Sequence, residues 1–256
     1  MRNKVVLIMG ASSGIGRAVS IKLANEGAKV ILAARSFQAL ETVKHTIEEN
    51  GGECYVRTCN ICSEEEVRNL TNEIIDHFGK IDVAILGSGI QYIDKVSTLD
   101  TNEVDAMFQT NVIGIIRCTR FILPHMLQRN NGQIVLISSI MGEAAFPHMV
   151  SYGATKAAIS CFARGLRREV WRQGIMIQLF SPGHMNTNIS THLQDRVPPW
   201  YGKSGSLNID GVADKMIRSI KLKKSEVIVG RQTKILSRMI KHLPFFANNI
   251  IRKMTT

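Results

Sequence analysis

A chain of 256 residues, 45% of them hydrophobic, is long enough to close one sizeable core, and α/β folds of this length commonly form a single domain. The formal net charge of +11 is unevenly spread: residues 1–214 hold 21 Lys+Arg against 20 Asp+Glu, whereas 215–256 hold 11 against one. A neutral body with a basic end, and no module of interleaved basic and aromatic residues, excludes nucleic-acid binding as the main function.

Along the chain, Lys4 to Met9 is an apolar run that predicts a buried strand. It leads into Gly10-Ala11-Ser12-Ser13-Gly14-Ile15-Gly16 and a helix near 14–26. Glycines at 10, 14 and 16 let the backbone turn tightly and approach a pyrophosphate, which free N–H groups and the helix dipole would stabilise. Alone, such a turn is equally a tight connection; its place first in a βαβ series is what a dinucleotide site requires. The second strand, 28–34, ends in Ala34-Arg35. An acidic residue there would accept a ribose 2′-hydroxyl, whereas arginine accommodates a 2′-phosphate, so NADP(H) is favoured over NAD(H). The plainer alternative is a solvated arginine at a helix start.

Helices near 36–50, 63–78, 103–128 and 151–173 then alternate with strands at 53–58, 81–86, 133–138 and 175–180, and a last short strand is at 226–229. The alternation predicts a parallel, doubly wound sheet of about seven strands with right-handed crossovers. Ser139 closes an apolar run that reads as a buried strand, at the end where open α/β sheets bind ligands. Tyr152 and Lys156 share one face of the following helix. A free tyrosine titrates near 10, so bringing it to about 7 needs roughly 4 kcal/mol of selective phenolate stabilisation, which an adjacent ammonium in a drying cleft would supply. A Tyr-x-x-x-Lys pair by itself is more often an ordinary exposed pair. Here it is joined by Ser139, by the glycine turn and by Asn111, a mid-helix amide placed to hold a water.

Together these residues resemble the short-chain dehydrogenase/reductase family over nearly the whole chain, with Gly10, Gly14 and Gly16 matching its glycine turn and Asn111, Ser139, Tyr152 and Lys156 its tetrad. Pro182, Gly183 and Thr187 match its Pro-Gly-x-x-x-Thr segment. The resemblance implies a Rossmann-type fold and an NADP(H)-dependent carbonyl–alcohol oxidoreductase. In it Tyr152 donates the proton, Ser139 holds the substrate oxygen, Lys156 also holds the nicotinamide ribose, and Asn111 holds a relay water. It further implies cofactor contacts at Ser12, Ser13, Ile15, Asn60, Ile61, Gly87, Ser88 and Gly89, and a homodimer or homotetramer. Three departures stand out. Leu86-Gly87-Ser88-Gly89 replaces Asn-Asn-Ala-Gly, Met9 replaces a threonine, and Asn60 replaces an aspartate. Losing both partners of the Thr–Asn tie suggests an apolar contact in its place.

Cysteines 54, 59, 62, 118 and 161 do not suggest a secreted disulfide framework, and Cys59-x-x-Cys62 lacks the second ligand pair of a zinc site, so no metal is expected. A reducing cytoplasm is the expected location, since only three residues precede the first strand and no apolar run spans a bilayer. The segment 187–207 is expected to be a substrate lid, with an ordinary surface loop as the alternative. His148, Met149, His184, Met185, Trp200 and Tyr201 are candidate substrate contacts. Residues 1–231 form the expected catalytic domain and 232–256 a helical extension. In that extension Ile235, Leu236, Met239, Ile240 and Leu243 share one face and Lys234, Arg238 and Lys241 the opposite one. The pattern fits a helix on an anionic membrane and equally a helix packed on the body or a sister subunit. With the Arg35 position, this basic, apolar extension resembles the hydroxysteroid-dehydrogenase-like and lipid-associated branch, implying a hydrophobic substrate. The rival function is a catalytically silent dinucleotide-binding scaffold working through its basic tail.

Overall fold

The computed structural model describes residues 1–185, 189, 196–201 and 205–255. Its centre is a seven-stranded sheet, all parallel, in the order β3-β2-β1-β4-β5-β6-β7. The strands are β1 (Val5–Met9), β2 (Lys29–Ala34), β3 (Glu53–Thr58), β4 (Val83–Leu86), β5 (Gly132–Ile137), β6 (Ile175–Pro182) and β7 (Glu226–Val229). Alternate side chains of each strand enter opposite cores. Leu7 and Met9 of β1 face α3 (Glu64–Phe78), α5 (Gly114–Gln128) and α6 (Val150–Glu169), whereas Val6 and Ile8 face α1 (Gly14–Asn25), α2 (Phe37–Glu49) and α7 (Ile209–Lys221). Because both faces are covered, the central strands read as continuous apolar runs, and all five residues of β1 and all six of β5 are buried.

Two helical regions differ from the sequence expectation. The single helix expected over 103–128 is α4 (Thr101–Phe108), a π-helical turn at Gln109–Ile113, and α5. A π-turn inserts an extra residue into the helical repeat, re-aiming the side chains it carries, and Asn111 lies inside it. The helix α7 went unread although its signals are present: Asn208 caps it through Gly211 N–H at 3.0 Å, and Val212, Met216, Ile217 and Ile220 are buried at helical spacing.

Behind the sheet, at the end where the strands begin, Asp82 accepts from Val5 N–H at 2.9 Å and meets Lys4 at 3.3 Å and Lys80 at 3.0 Å. Burial alone would raise its pKa, but Val5 N–H and the two lysines outweigh that and hold the carboxyl below its ordinary range. At the tail, α8 (Arg231–His242) and α9 (Pro244–Thr255) form a helical pair, with α9 folded back on α8. Among the described residues no helix is long and apolar enough to cross a membrane.

Candidate active site

One cleft of about 480 Å³ runs along the carboxyl ends of the strands, the edge where open α/β sheets take ligands. Its floor is the turn after β1. Gly10 adopts φ +88°, and a Cβ there would lie 2.9 Å from Ser88 N; a Cβ on Gly16 would lie 2.0 Å from the Gly10 carbonyl oxygen. Only glycine permits this close fold-back, which brings Ser12, Ser13, Gly14 and Ile15 to the cleft beneath the first turn of α1. That turn carries no acidic residue, so its N–H groups and dipole are suited to an anionic group. Arg35, exposed at the end of β2, lines the same cleft just before Ser36, the N-cap of α2.

Asn60 and Ile61 lie on the wall after β3. The Asn60 side-chain oxygen accepts from Cys62 N–H at 3.1 Å, and the Glu66 carboxylate accepts from Asn60 N–H at 2.8 Å, so part of this amide already holds its own turn. Cys59 next to it is buried and its thiol is pushed up to about 12, the opposite of an activated Cys-x-x-Cys thiol. Gly87, Ser88 and Gly89 line the wall after β4. There Gly87 N–H donates to the Met9 carbonyl at 3.0 Å, and Met9 and Leu86, register partners on β1 and β4, are both buried in one apolar cluster. The turns are joined by packing and one backbone bond, as the paired loss of threonine and asparagine suggested.

Tyr152, Lys156 and Ser139 converge on the cleft. Tyr152 is 8% exposed and Lys156 6%. The Lys156 ammonium donates to the Ile137 carbonyl at 3.2 Å and lies 5.6 Å from the centre of the Tyr152 ring. Burial drives both titrations away from the charged forms. It pulls Lys156 down to about 8. It also raises the Tyr152 phenol above its ordinary value, with the Tyr201 phenol adding to the rise and a hydrogen bond to Ser139 opposing it. The expected lowering of the phenol is therefore reversed: desolvation, with the Tyr201 phenol, outweighs the hydrogen bond to Ser139.

Asn111 is fully buried behind the wall and is not among the cleft-lining side chains. Its oxygen accepts from Ile90 N–H at 2.8 Å, and its amide group donates to the Ile90 carbonyl at 2.8 Å and to Thr155 Oγ1 at 3.2 Å. The amide donors expected to hold a water thus clasp the loop after β4 to α6. Sequence reasoning also missed Ser138, whose hydroxyl bonds the Lys156 carbonyl and the Ser160 hydroxyl, both at 2.8 Å, and so seats α6 on β5. Its signal was adjacency to Ser139 on a strand end.

On the substrate side, Pro182, Gly183, His184, Met185 and Tyr201 line the cleft, and the rings of His184 and Tyr201 stand 4.6 Å apart edge to face. His184 is half-buried, which lowers its pKa. Two expectations need correction. His148 does not line the cleft: it sits at φ +65° with its carbonyl accepting from Asp94 N–H, and Met149 beside it faces inward instead. Trp200 is not among the cleft-lining residues; it stands 5.8 Å from Phe146, in an apolar cluster that includes Ile93 and Met149. Gln91 and Met141 are lining residues that the sequence did not reveal. Thr187 and much of the expected 187–207 lid lie outside the described residues. Of that stretch, Leu207 N–H returns to the His184 carbonyl at 2.8 Å.

The sequence model of the short chain dehydrogenase family matches residues 4–198. The chain belongs to that family. Its members similar to this oxidoreductase include a 3-oxoacyl-acyl-carrier-protein reductase of Staphylococcus epidermidis, 31% identical over 75% of this chain and 80% of its own. An alcohol dehydrogenase of the archaeon Thermococcus sibiricus, solved with 5-hydroxy-NADP, superposes with a TM-score of 0.78 at 25% identity, covering 89% of this chain and 96% of that one. A short chain dehydrogenase/reductase of Burkholderia phymatum, solved with NAD, shares the fold with a TM-score of 0.87 at 23% identity, covering 96% and 95%.

Proposed function

We propose that this oxidoreductase interconverts a carbonyl and an alcohol on a small apolar substrate with NADP(H). The observation that carries the reading is the burial of Tyr152 and Lys156 beside Ser139 in the same cleft as the glycine turn. The residues fit a dinucleotide: the space a Cβ would fill at Gly10 and Gly16 is already closed, α1 offers free N–H groups, and Arg35 offers a cation where a 2′-phosphate would project. When bound, the nicotinamide supplies the hydride.

The chain's own part is proton handling. Ser139 holds the carbonyl oxygen, and Tyr152, kept protonated by burial, donates to it. Lys156, titrating near neutrality, stabilises the phenolate left behind and returns a proton to it. Asn111 acts as a positioning residue through Ile90 and Thr155. Met141, Met149 and Tyr201 give the substrate side an apolar, aromatic wall.

The test is NADPH oxidation over long-chain ketones, ketosteroids, 3-ketoacyl thioesters and quinones. Tyr152→Phe should lower kcat about a thousandfold on any accepted substrate; activity that survives it overturns the mechanism. Arg35→Ala should erode the preference for NADPH over NADH, and an unchanged preference removes the argument for the 2′-phosphate.

A further inference from the structure

We propose that the α8–α9 pair is a docking element for anionic membrane surfaces. The inference rests on the tail alone and not on the reading of the cleft.

The basic end of the sequence is two separate populations in space. Lys215, Arg218 and Lys221 lie on α7, with Lys223 and Lys224 in the turn before β7, at the rear edge of the sheet. There Lys221 is paired with Glu26 at 2.7 Å. The six cations from Arg231 onward lie instead on α8 and α9, which leave β7 at its cleft end. No Asp or Glu follows Glu226, and Glu226 is itself held by Arg164 and Arg167.

Packing in and around the α8–α9 pair divides the apolar residues. Leu236, Met239 and Ile240 of α8 are partly buried and Ala247 and Ile251 of α9 are buried, whereas Ile235 stays exposed. What is left outside is a second apolar set. Leu243 at the bend is exposed, Phe245 is 74% exposed, Phe246 60%, and Ile250 follows one turn later. Helical spacing puts Phe246, Ile250 and Lys253 on the outward side of α9, away from Ala247 and Ile251. Lys234, Arg238 and Lys241 line the exposed side of α8. Two neighbouring phenylalanines left in water are unfavourable unless something covers them.

Charge selects the occupant. A second copy seated face to face on this surface would bring two sets of cations together, with no Asp or Glu side chain in α8 or α9 of either copy. A bilayer rich in anionic lipid accepts both parts: the phenylalanines enter the interface and the lysines meet the headgroups. Thr233 of α8 packs against Gly183 of the cleft wall, since a Cβ on Gly183 would lie 2.2 Å from its hydroxyl oxygen, so the docking element is anchored directly at the site.

Flotation of the full-length chain with phosphatidylcholine vesicles, with and without phosphatidylglycerol, tests this. Binding is expected only to the anionic vesicles and should weaken as salt is raised. F245S/F246S should weaken binding about tenfold, and K234E/R238E/K241E about a hundredfold or more. Both variants change exposed side chains, and circular dichroism and sedimentation velocity confirm fold and assembly. The proposal is overturned by absence of wild-type binding, by equal binding to neutral vesicles, or by variants that bind like wild type. A wild-type dimer that F245S/F246S turns into a monomer, without vesicle binding, assigns the face to a second copy and also overturns it.

Discussion

At the scale of single residues, Lys156 combines function with a stability cost. Its lowered pKa means that the folded chain binds fewer protons than the unfolded one between about 8 and 10.5. Stability therefore rises with pH across that window, and the penalty is fully present below 8. Lysine held near 8 costs the fold about 3 kcal/mol at neutral pH. Lys156→Met should accordingly raise the midpoint of urea unfolding at pH 7 while removing most carbonyl reduction. A lower midpoint would show that the Ile137 bond, not desolvation, dominates. The same titration should make kcat/KM for reduction fall above about pH 8 as the ammonium is lost, and Lys156→Arg should remove that limb. Gly16→Ala is a steric counterpart: a methyl 2.0 Å from the Gly10 oxygen forces the turn open. Fluorescence titration should show NADPH binding weakened by tenfold or more, about 1.4 kcal/mol.

At the scale of elements, the π-turn between α4 and α5 decides what Asn111 does. A continuous helix would have left the amide at a different angle; the inserted residue points it at Ile90 and Thr155 and binds the loop after β4 to α6. Asn111→Leu leaves the part-buried Ile90 N–H and carbonyl without their side-chain partner and should cost about 2 kcal/mol of stability. It should also lower kcat more than it raises KM, because Lys156 and Gly89 lose their relative placement. A KM effect alone would argue against a positioning role. Nothing in the local sequence marks a π-turn, so the residue was legible and its geometry was not.

At the scale of the whole molecule, function and stability sit at opposite edges of one sheet. The cleft occupies the carboxyl edge, and Asp82 ties the chain together at the other, bonding β1 and drawing in Lys4 and Lys80. Asp82→Ala should cost about 2 kcal/mol in denaturant unfolding with kcat unchanged. Its carboxyl is held below the ordinary range, so its contribution is present at neutral pH and lost as pH falls through the folded pKa. The variant should therefore lose less stability than wild type on acidification. By itself the sequence determined the alternation of strands and helices, the glycine turn, the Ser139–Tyr152–Lys156 constellation and the basic tail, because each is written in local periodicity or fixed spacing. Only the tertiary structure decided that Tyr152 is desolvated upward, that Asn111 faces a loop, that Trp200 packs with Phe146 rather than lining the cleft, and that Ala247 and Ile251 of α9 are buried while Phe245 and Phe246 are exposed. Those outcomes depend on burial and on which surfaces meet across long separations, and neither is encoded in any short stretch of the chain.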